Sequence, residues 1–284
     1  MEYKIFRNRK IVEVNDMQKI KLIISDIDGT LVDSSEQLPE AFKETVSKCR
    51  DAGIQFAFAT GRTRELTAPF VKALGITIPC VEANGAYILQ GDEILVEHGF
   101  SLAPIKDILY QAHAQGLTVT ISDTHHERST LETDYVREHQ KFGNRFQELL
   151  ALDDIDWKHD KFHKVMIMDE HQTGQIKAFR DQLQAFTHCY WVTSYSDRAV
   201  ELGPLNCNKA TGMQDLAAYL GIPMGQVMAC GDYSNDAEMI ASAGIGVAVG
   251  NASDEIKTLA NYVAKNHFAY GVIEAINAIC FQDA

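Results

Sequence analysis

Two aspartates separated by a single residue, in Ser25-Asp26-Ile27-Asp28-Gly29-Thr30-Leu31, are the first feature of the chain that suggests chemistry. They follow the unbroken apolar run Leu22-Ile23-Ile24, the pattern of a parallel strand buried on both faces. Both carboxylates are therefore expected at the carboxyl end of a parallel sheet, where open α/β folds bind their ligands. Asp-x-Asp followed by Gly and Thr makes a tight loop that can offer acid groups and backbone N–H groups to one anion. Alone, the same loop also reads as a strand-ending turn with aspartates capping its backbone.

Two further apolar runs end in chemistry-bearing residues. One closes on Ala59-Thr60-Gly61-Arg62, which places a hydroxyl at a second strand terminus. The other closes on Gly231-Asp232-Tyr233-Ser234-Asn235-Asp236, which adds two carboxylates and an amide at a third. Lys209 opens the helical segment that precedes the last of these. Each has a plain structural alternative: Thr60 as a helix N-cap, Lys209 as a surface lysine, Asp232 and Asp236 as caps. Their coincidence at three strand ends is what points to one site.

The elements that must position them follow from periodicity. Pro39 opens a segment with Phe42, Thr45, Val46 and Cys49 at helical spacing, closed by Gly53. A strand over 55–59, a helix over 65–74 and a strand over 78–82 come next, and this alternation predicts a doubly wound, Rossmann-like parallel sheet. The rhythm breaks near Asn84-Gly85. From Tyr87 onward the runs are shorter, with a hairpin across Gln90-Gly91-Asp92-Glu93. Helical stripes follow at Ile105, Ile108, Leu109, Ala112 and at Ile176, Phe179, Leu183, with strands expected at 117–121, 165–168 and 190–193. After Gly203-Pro204 the α/β pattern resumes, with a helix over 209–220, strands at 227–230, 245–249 and 262–264, and a last helix carrying Val272, Ile273, Ile276 and Ile279. The fold class read from this is α/β, a core built from residues 17–85 and 203–284. An α+β module is inserted at 86–202, and residues 1–16 form an extension of no assigned role. Met17 is a plausible alternative start.

Composition narrows the function classes. The 284 residues are 46% hydrophobic and 23% charged, an ordinary globular balance. Lysine and arginine total 26 against 39 acids, a formal charge of −13. Both the insert and the remainder are net acidic, which argues against nucleic acid as a partner. No apolar stretch approaches a membrane span. The basic N-terminus has no apolar run behind it. The six cysteines are scattered singly, as expected for buried reduced thiols and not for disulfides or a zinc site. A cytoplasmic enzyme with no membrane partner is expected.

The motifs resemble the haloacid dehalogenase superfamily, and within it the Cof-type phosphatases that carry a large cap between the second and third motifs. The resemblance covers about residues 18 to 275 and rests on the Asp26-x-Asp28-Gly29-Thr30 loop, Thr60-Gly61, Lys209 and Gly231-Asp232-x-x-Asn235-Asp236, in the family's order. Asn84-Gly85-Ala86, Glu238-Met239-Ile240 through Val247, and Gly250-Asn251-Ala252 extend it. Two positions depart from the usual pattern: Ala210 follows the lysine where glycine is common, and Tyr270 stands where an aspartate usually precedes Gly271-Val272.

The resemblance implies a mechanism. Asp26 would attack phosphorus and form an aspartyl-phosphate. Asp28 would protonate the leaving oxygen and then activate water. Mg²⁺, the implied cofactor, would be held by the Asp26 and Asp232 carboxylates and the Asp28 carbonyl. The Ile27 and Gly61 N–H groups, Thr60, Lys209 and Asn235 would hold the phosphate, with Asp236 supporting Lys209 or a metal-bound water. The implied substrates are small phosphorylated metabolites, sugar phosphates among them, with specificity set by the insert. A phosphomutase and a non-enzymatic aspartate phospho-receiver are the alternatives. The receiver lacks an acid two residues after its aspartate, so Asp28 separates the two. Within the insert, the segment 123–128 (Asp-Thr-His-His-Glu-Arg) reads either as an anion reader or, more simply, as a polar hairpin tip.

Overall fold

The computed structural model describes residues 19–91, 93–124, 126–141, 145–195 and 197–281, and the backbone of two short strands nearer the N-terminus. Those two, β1 (Ile5–Arg7) and β2 (Lys10–Val12), pair antiparallel. The rest of the N-terminal extension, Met17 included, lies outside the described residues, as does His125.

The chain then runs β3 (Leu22–Ser25), α1 (Glu40–Asp51), β4 (Gln55–Phe58), α2 (Arg64–Leu74), β5 (Cys80–Glu82), β6 (Tyr87–Gln90) and β7 (Glu93–Glu97). It continues with α3 (Lys106–Ala114), β8 (Thr118–Ser122), β9 (Glu127–Ser129), α4 (Asp134–His139), β10 (Lys164–Met168), α5 (Ile176–Leu183), β11 (Tyr190–Tyr195) and β12 (Ala199–Pro204). It closes with α6 (Lys209–Tyr219), β13 (Val227–Gly231), α7 (Ala237–Ser242), β14 (Ile245–Ala248), α8 (Asp254–Leu259), β15 (Tyr262–Val263) and α9 (Phe268–Cys280). The α/β class and the parallel central sheet expected from periodicity are observed. The expected strands and long helices appear within a few residues of their predicted bounds; β9, β12, α4 and α8 are additions.

Two compact units divide the chain. The first comprises Met1–Gly61, Phe70–Val96 and Asn208–Ala284; the second comprises Arg62–Pro69 and Glu97–Cys207. In the first, five strands lie in the order β15-β14-β13-β3-β4, all parallel. A parallel bridge from Ala59 to Val81 carries the sheet on to β5, which pairs antiparallel with β6. Leu22, Ile23, Ile24, Val227, Met228 and Val247 are fully buried, because helices cover both faces of such a sheet. Strand order reverses between β3 and β13: from β3 the chain winds toward β4, and from β13 toward β14 and β15. That reversal opens a crevice at the carboxyl ends, the switch point at which open α/β sheets hold ligands.

The second unit is built on an antiparallel sheet in the order β11-β12-β10-β8-β9. Val119, Ile121, Val165, Ile167, Val200 and Leu202 alternate along its strands and pack into one apolar cluster with Leu109, Phe179 and Leu183 from α3 and α5. Among the described residues no helix is long and apolar enough to cross a membrane.

Candidate active site

Asp26 follows β3 directly, and its N–H donates to the Cys230 carbonyl at 3.0 Å, so the ladder between β3 and β13 runs into the loop. The loop then folds back on itself: Leu31 and Val32 N–H groups donate to the Ile27 carbonyl, and Gly29 N–H donates to Val32. Gly29 sits at φ 80°, and a Cβ there would lie 2.4 Å from Asp232 Oδ2, so only glycine fits. Thr30 Oγ1 donates to Asp232 Oδ1 at 2.9 Å, and Asn251 Nδ2 donates to the Gly29 carbonyl at 2.7 Å. These bonds tie the loop after β3 to the loop after β13.

Lys209 is fully buried at the start of α6, whose N-cap Asn208 forms a reciprocal capping box with Thr211. Its Nζ lies 2.7 Å from Asp26 Oδ1 and 2.8 Å from Asp236 Oδ1. The other Asp236 oxygen, Oδ2, accepts from the N–H groups of Asp232 at 2.9 Å and Tyr233 at 3.2 Å. Asp236 is thus committed to the protein on both oxygens. The Asp232 carboxylate receives only the Thr30 hydroxyl among the described bonds. Gly85, at φ 93°, lets α6 approach: a Cβ there would stand 2.2 Å from the Asn208 carbonyl.

Carboxylate oxygens of Asp26, Asp232 and Asp236 all lie within 4.8 Å of one another. Three acids therefore share one buried ammonium. Burial works against the charge on Lys209, but Asp236 and Asp26 outweigh it and hold its pKa above the ordinary lysine value. Burial pushes the Asp26 carboxyl up; Lys209 pulls against that rise and the Asp236 charge adds to it. Asp232 is pushed up to about 6, chiefly by burial, with Thr30 opposing and Asp236 and Asp28 adding repulsion. With Asp236 matched to Lys209, two carboxylates are left that favour a proton or a cation. That surplus, in an all-oxygen setting, fits a hard divalent ion such as Mg²⁺.

All the residues expected from sequence to form the site fall in the first unit. Asp26, Lys209, Asp232 and Asp236 are brought into direct proximity. Thr60 is fully buried one residue beyond the Ala59 bridge, with its N–H on Val81 and its carbonyl accepting from Asn84. A Cβ on Gly61 would press on the Asn84 side chain at 3.2 Å. Ile27 is buried, and its N–H lies against the Asp26 carboxylate. Asp28 and Asn235 are exposed, Asn235 on the 3₁₀ turn before α7.

The braces Thr30 and Asn251 were given no role by sequence reasoning. Both stand in segments quoted for the resemblance, and a short polar side chain beside a glycine turn is the signal that marks them. In the other unit, Asp123 accepts from the His126 N–H at 2.8 Å and from Arg128 at 2.7 Å. The segment closes a turn between β8 and β9, as the hairpin reading expects.

Comparisons with known proteins agree with this geometry. A family model described as haloacid dehalogenase-like hydrolase matches residues 23–276. A phosphoglycolate phosphatase of Methanosarcina mazei is 41% identical over 262 residues, covering 91% of this chain and 96% of the relative. A 5-amino-6-(5-phospho-D-ribitylamino)uracil phosphatase of Bacillus subtilis is 28% identical over 257 residues, covering 90% and 94%. Among solved structures, a haloacid dehalogenase-like hydrolase from Bacteroides thetaiotaomicron superposes with a TM-score of 0.81 at 26% identity, over 92% of this chain and all of that one.

Proposed function

The chain belongs to the haloacid dehalogenase-like hydrolases and is a phosphoric monoester hydrolase; we propose that it is a Mg²⁺-dependent phosphatase of small phosphorylated metabolites working through an aspartyl-phosphate on Asp26. The observation that carries this reading is the pairing of Asp26 with Lys209 at 2.7 Å at the strand-order reversal, beside an Asp232 carboxylate left largely uncommitted.

In the first half-reaction an Asp26 oxygen bonds to phosphorus as the bond from phosphorus to the ester oxygen breaks. Asp28, exposed on the loop, gives its proton to that oxygen. In the second, Asp28 takes a proton from water, the water oxygen bonds to phosphorus, and inorganic phosphate leaves with Asp26 restored. Lys209 offsets charge on the transferring group and is itself oriented by Asp236. Thr60, the Ile27 and Gly61 N–H groups and Asn235 hold the remaining phosphate oxygens. Asp26, the Asp28 carbonyl and Asp232 would hold Mg²⁺, which when bound supplies positive charge to the phosphate oxygens. The insert at 86–202 acts as the cap that sets specificity. The reducing cytoplasm is its proposed compartment, in keeping with six free cysteines, four of them buried.

Chelated enzyme re-supplied with Mg²⁺ should release phosphate from p-nitrophenyl phosphate, and rapid quenching should leave a phosphoryl adduct on the peptide holding Asp26. Full activity after exhaustive chelation, or an adduct on another residue, would overturn the reading.

A further inference from the structure

Chemistry-bearing residues stand at the ends of β3, β4 and β13, and the structure brings the end of β5 beside them. The Ala59–Val81 bridge carries the parallel sheet on to β5, so residues 83–85 leave its carboxyl edge next to Thr60 and Gly61. All of these residues belong to the first unit. Thr60 N–H donates to the Val81 carbonyl at 3.0 Å, and Asn84 N–H donates to the Thr60 carbonyl at 2.8 Å. Both backbone groups of Thr60 are therefore tied to the chain that leaves β5.

That chain is held in an unusual shape. Ala83, Asn84 and Gly85 all have positive φ, at 47°, 55° and 93°. The left-handed region is unfavourable for a residue with a Cβ; asparagine tolerates it better than most, and glycine best. Such strain persists where surrounding contacts over-determine it, and it gathers at functional sites. Here contacts act from two sides. On one, the Asn84 side chain lies against Gly61, where a Cβ would stand 3.2 Å from both Nδ2 and Oδ1. On the other, Gly85 fits beneath the Asn208 carbonyl, one residue before Lys209, and a Cβ on Gly212 of α6 would stand 3.2 Å from Gly85 Cα. The turn is a strut between the Thr60–Gly61 pair and the helix that carries Lys209.

A plain reversal from β5 to β6 would use the left-handed backbone at position 84 but not the amide, and glycine would serve it as well. We propose that Asn84 is a positioning residue for phosphoryl transfer: its side chain fixes the Gly61 backbone, and with it Thr60, at the separation from Lys209 that the transferring group requires. Donors aimed at charge that develops in the transition state work only when held in place, and a small misplacement is costly in rate. The inference rests on the phosphatase reading and on the phosphate-holding role proposed for Thr60 and Gly61.

The test uses the full chain with Mg²⁺ and p-nitrophenyl phosphate. Asn84→Gly removes the amide and keeps the left-handed turn, so its melting temperature should stay within about 2 °C of the wild type. Its kcat should fall about tenfold or more, with KM changed by less than about threefold. Orthovanadate, which takes the trigonal-bipyramidal shape of the transition state, should lose inhibition in step with kcat, whereas inhibition by inorganic phosphate should hold. Gly61→Ala should lower kcat/KM about tenfold in the wild type, but less than about threefold in the Asn84→Gly background, where the side chain it presses on is gone. A wild-type kcat in Asn84→Gly, strictly additive losses in the double variant, or a fall in activity that comes with a melting temperature lowered by about 8 °C or more overturns the assignment. A wild type inactive toward p-nitrophenyl phosphate overturns the phosphatase reading itself.

Discussion

Two buried polar clusters, one in each unit, are assembled by opposite rules. At the carboxyl ends of β3 and β13, three carboxylates face one ammonium and the charges do not balance. On the sheet of the second unit, Lys164 meets Glu201 and Arg145 meets Glu127, and what stays open is a pair of hydroxyls and one oxygen. Burying ions costs several kcal/mol each, so neither cluster is explained by stability alone. The unbalanced one has the surplus negative charge that the proposed Mg²⁺ would offset in phosphoryl transfer. The balanced one keeps its charges occupied. Unmatched charge is what sets the first cluster apart from the second.

The sharpest way to break that contrast is to remove the proposed nucleophile. Asp26→Asn is expected to cost at least on the order of 10⁴-fold in kcat, since an amide cannot attack phosphorus. Appreciable turnover by the folded, Mg²⁺-replete variant would show that the unbalanced cluster is not where the bond forms. Asp28→Asn should cost about 10²–10⁴-fold. Its loss should be smaller with p-nitrophenyl phosphate than with an alkyl phosphate, because p-nitrophenolate leaves without a proton. Equal losses for the two esters would remove Asp28 as the acid.

Next in size is the division of labour between Asp232 and Asp236. Asp232→Ala should raise the Mg²⁺ concentration at half-activity by about tenfold or more. Asp236→Ala should change that titration little, yet lower stability by about 3 kcal/mol, since it strips a partner from buried Lys209 and the acceptor from two N–H groups. Metal titrations that shift alike would show that Asp236 is itself a ligand.

The two clusters were not equally legible in the sequence. Asp26, Lys209, Asp232 and Asp236 stand at strand ends and helix starts, where a turn residue and a buried apolar run fix which way the chain points. Hence the α/β core and the meeting of these four residues could be read in advance. The polar face of the second unit was not read, because β9 and β12 were missed. Glu127 falls in a three-residue strand too short to show a period, and Glu201 stands between Val200 and Leu202 in a run that ends on Gly203-Pro204. Pairing between β10 and β12 bridges more than thirty residues of sequence, and only that register sets Glu201 beside Met166 and near Lys164. A charge on a strand buried on both faces was the available signal.

The smallest expected effect probes how closely the second cluster is balanced. Glu65 belongs to that unit, on the segment after Gly61 that opens α2. Its carboxyl is pushed up to about 7, first by burial and then by the charge of Glu127, with Arg145 and the Glu127 N–H pulling the other way. The folded protein therefore keeps the Glu65 proton to higher pH than the unfolded chain does. The resulting stability is fully present below the ordinary glutamate value, near pH 4.5, and is lost as pH rises through about 7. Glu65→Gln, which imitates the protonated form, should match the wild type at pH 4.5 and exceed it at pH 8. The side chain is only half-buried, so solvent screening limits the gain to about 1 kcal/mol, or roughly 2–4 °C in melting temperature. Removing the repelling neighbour should shrink the gain: in a Glu127→Gln background, Glu65→Gln should add less at pH 8. A melting difference that is flat from pH 4.5 to 8, or that favours the wild type at high pH, would mean that Glu65 ionises freely and that the second cluster carries an unmatched negative charge like the first.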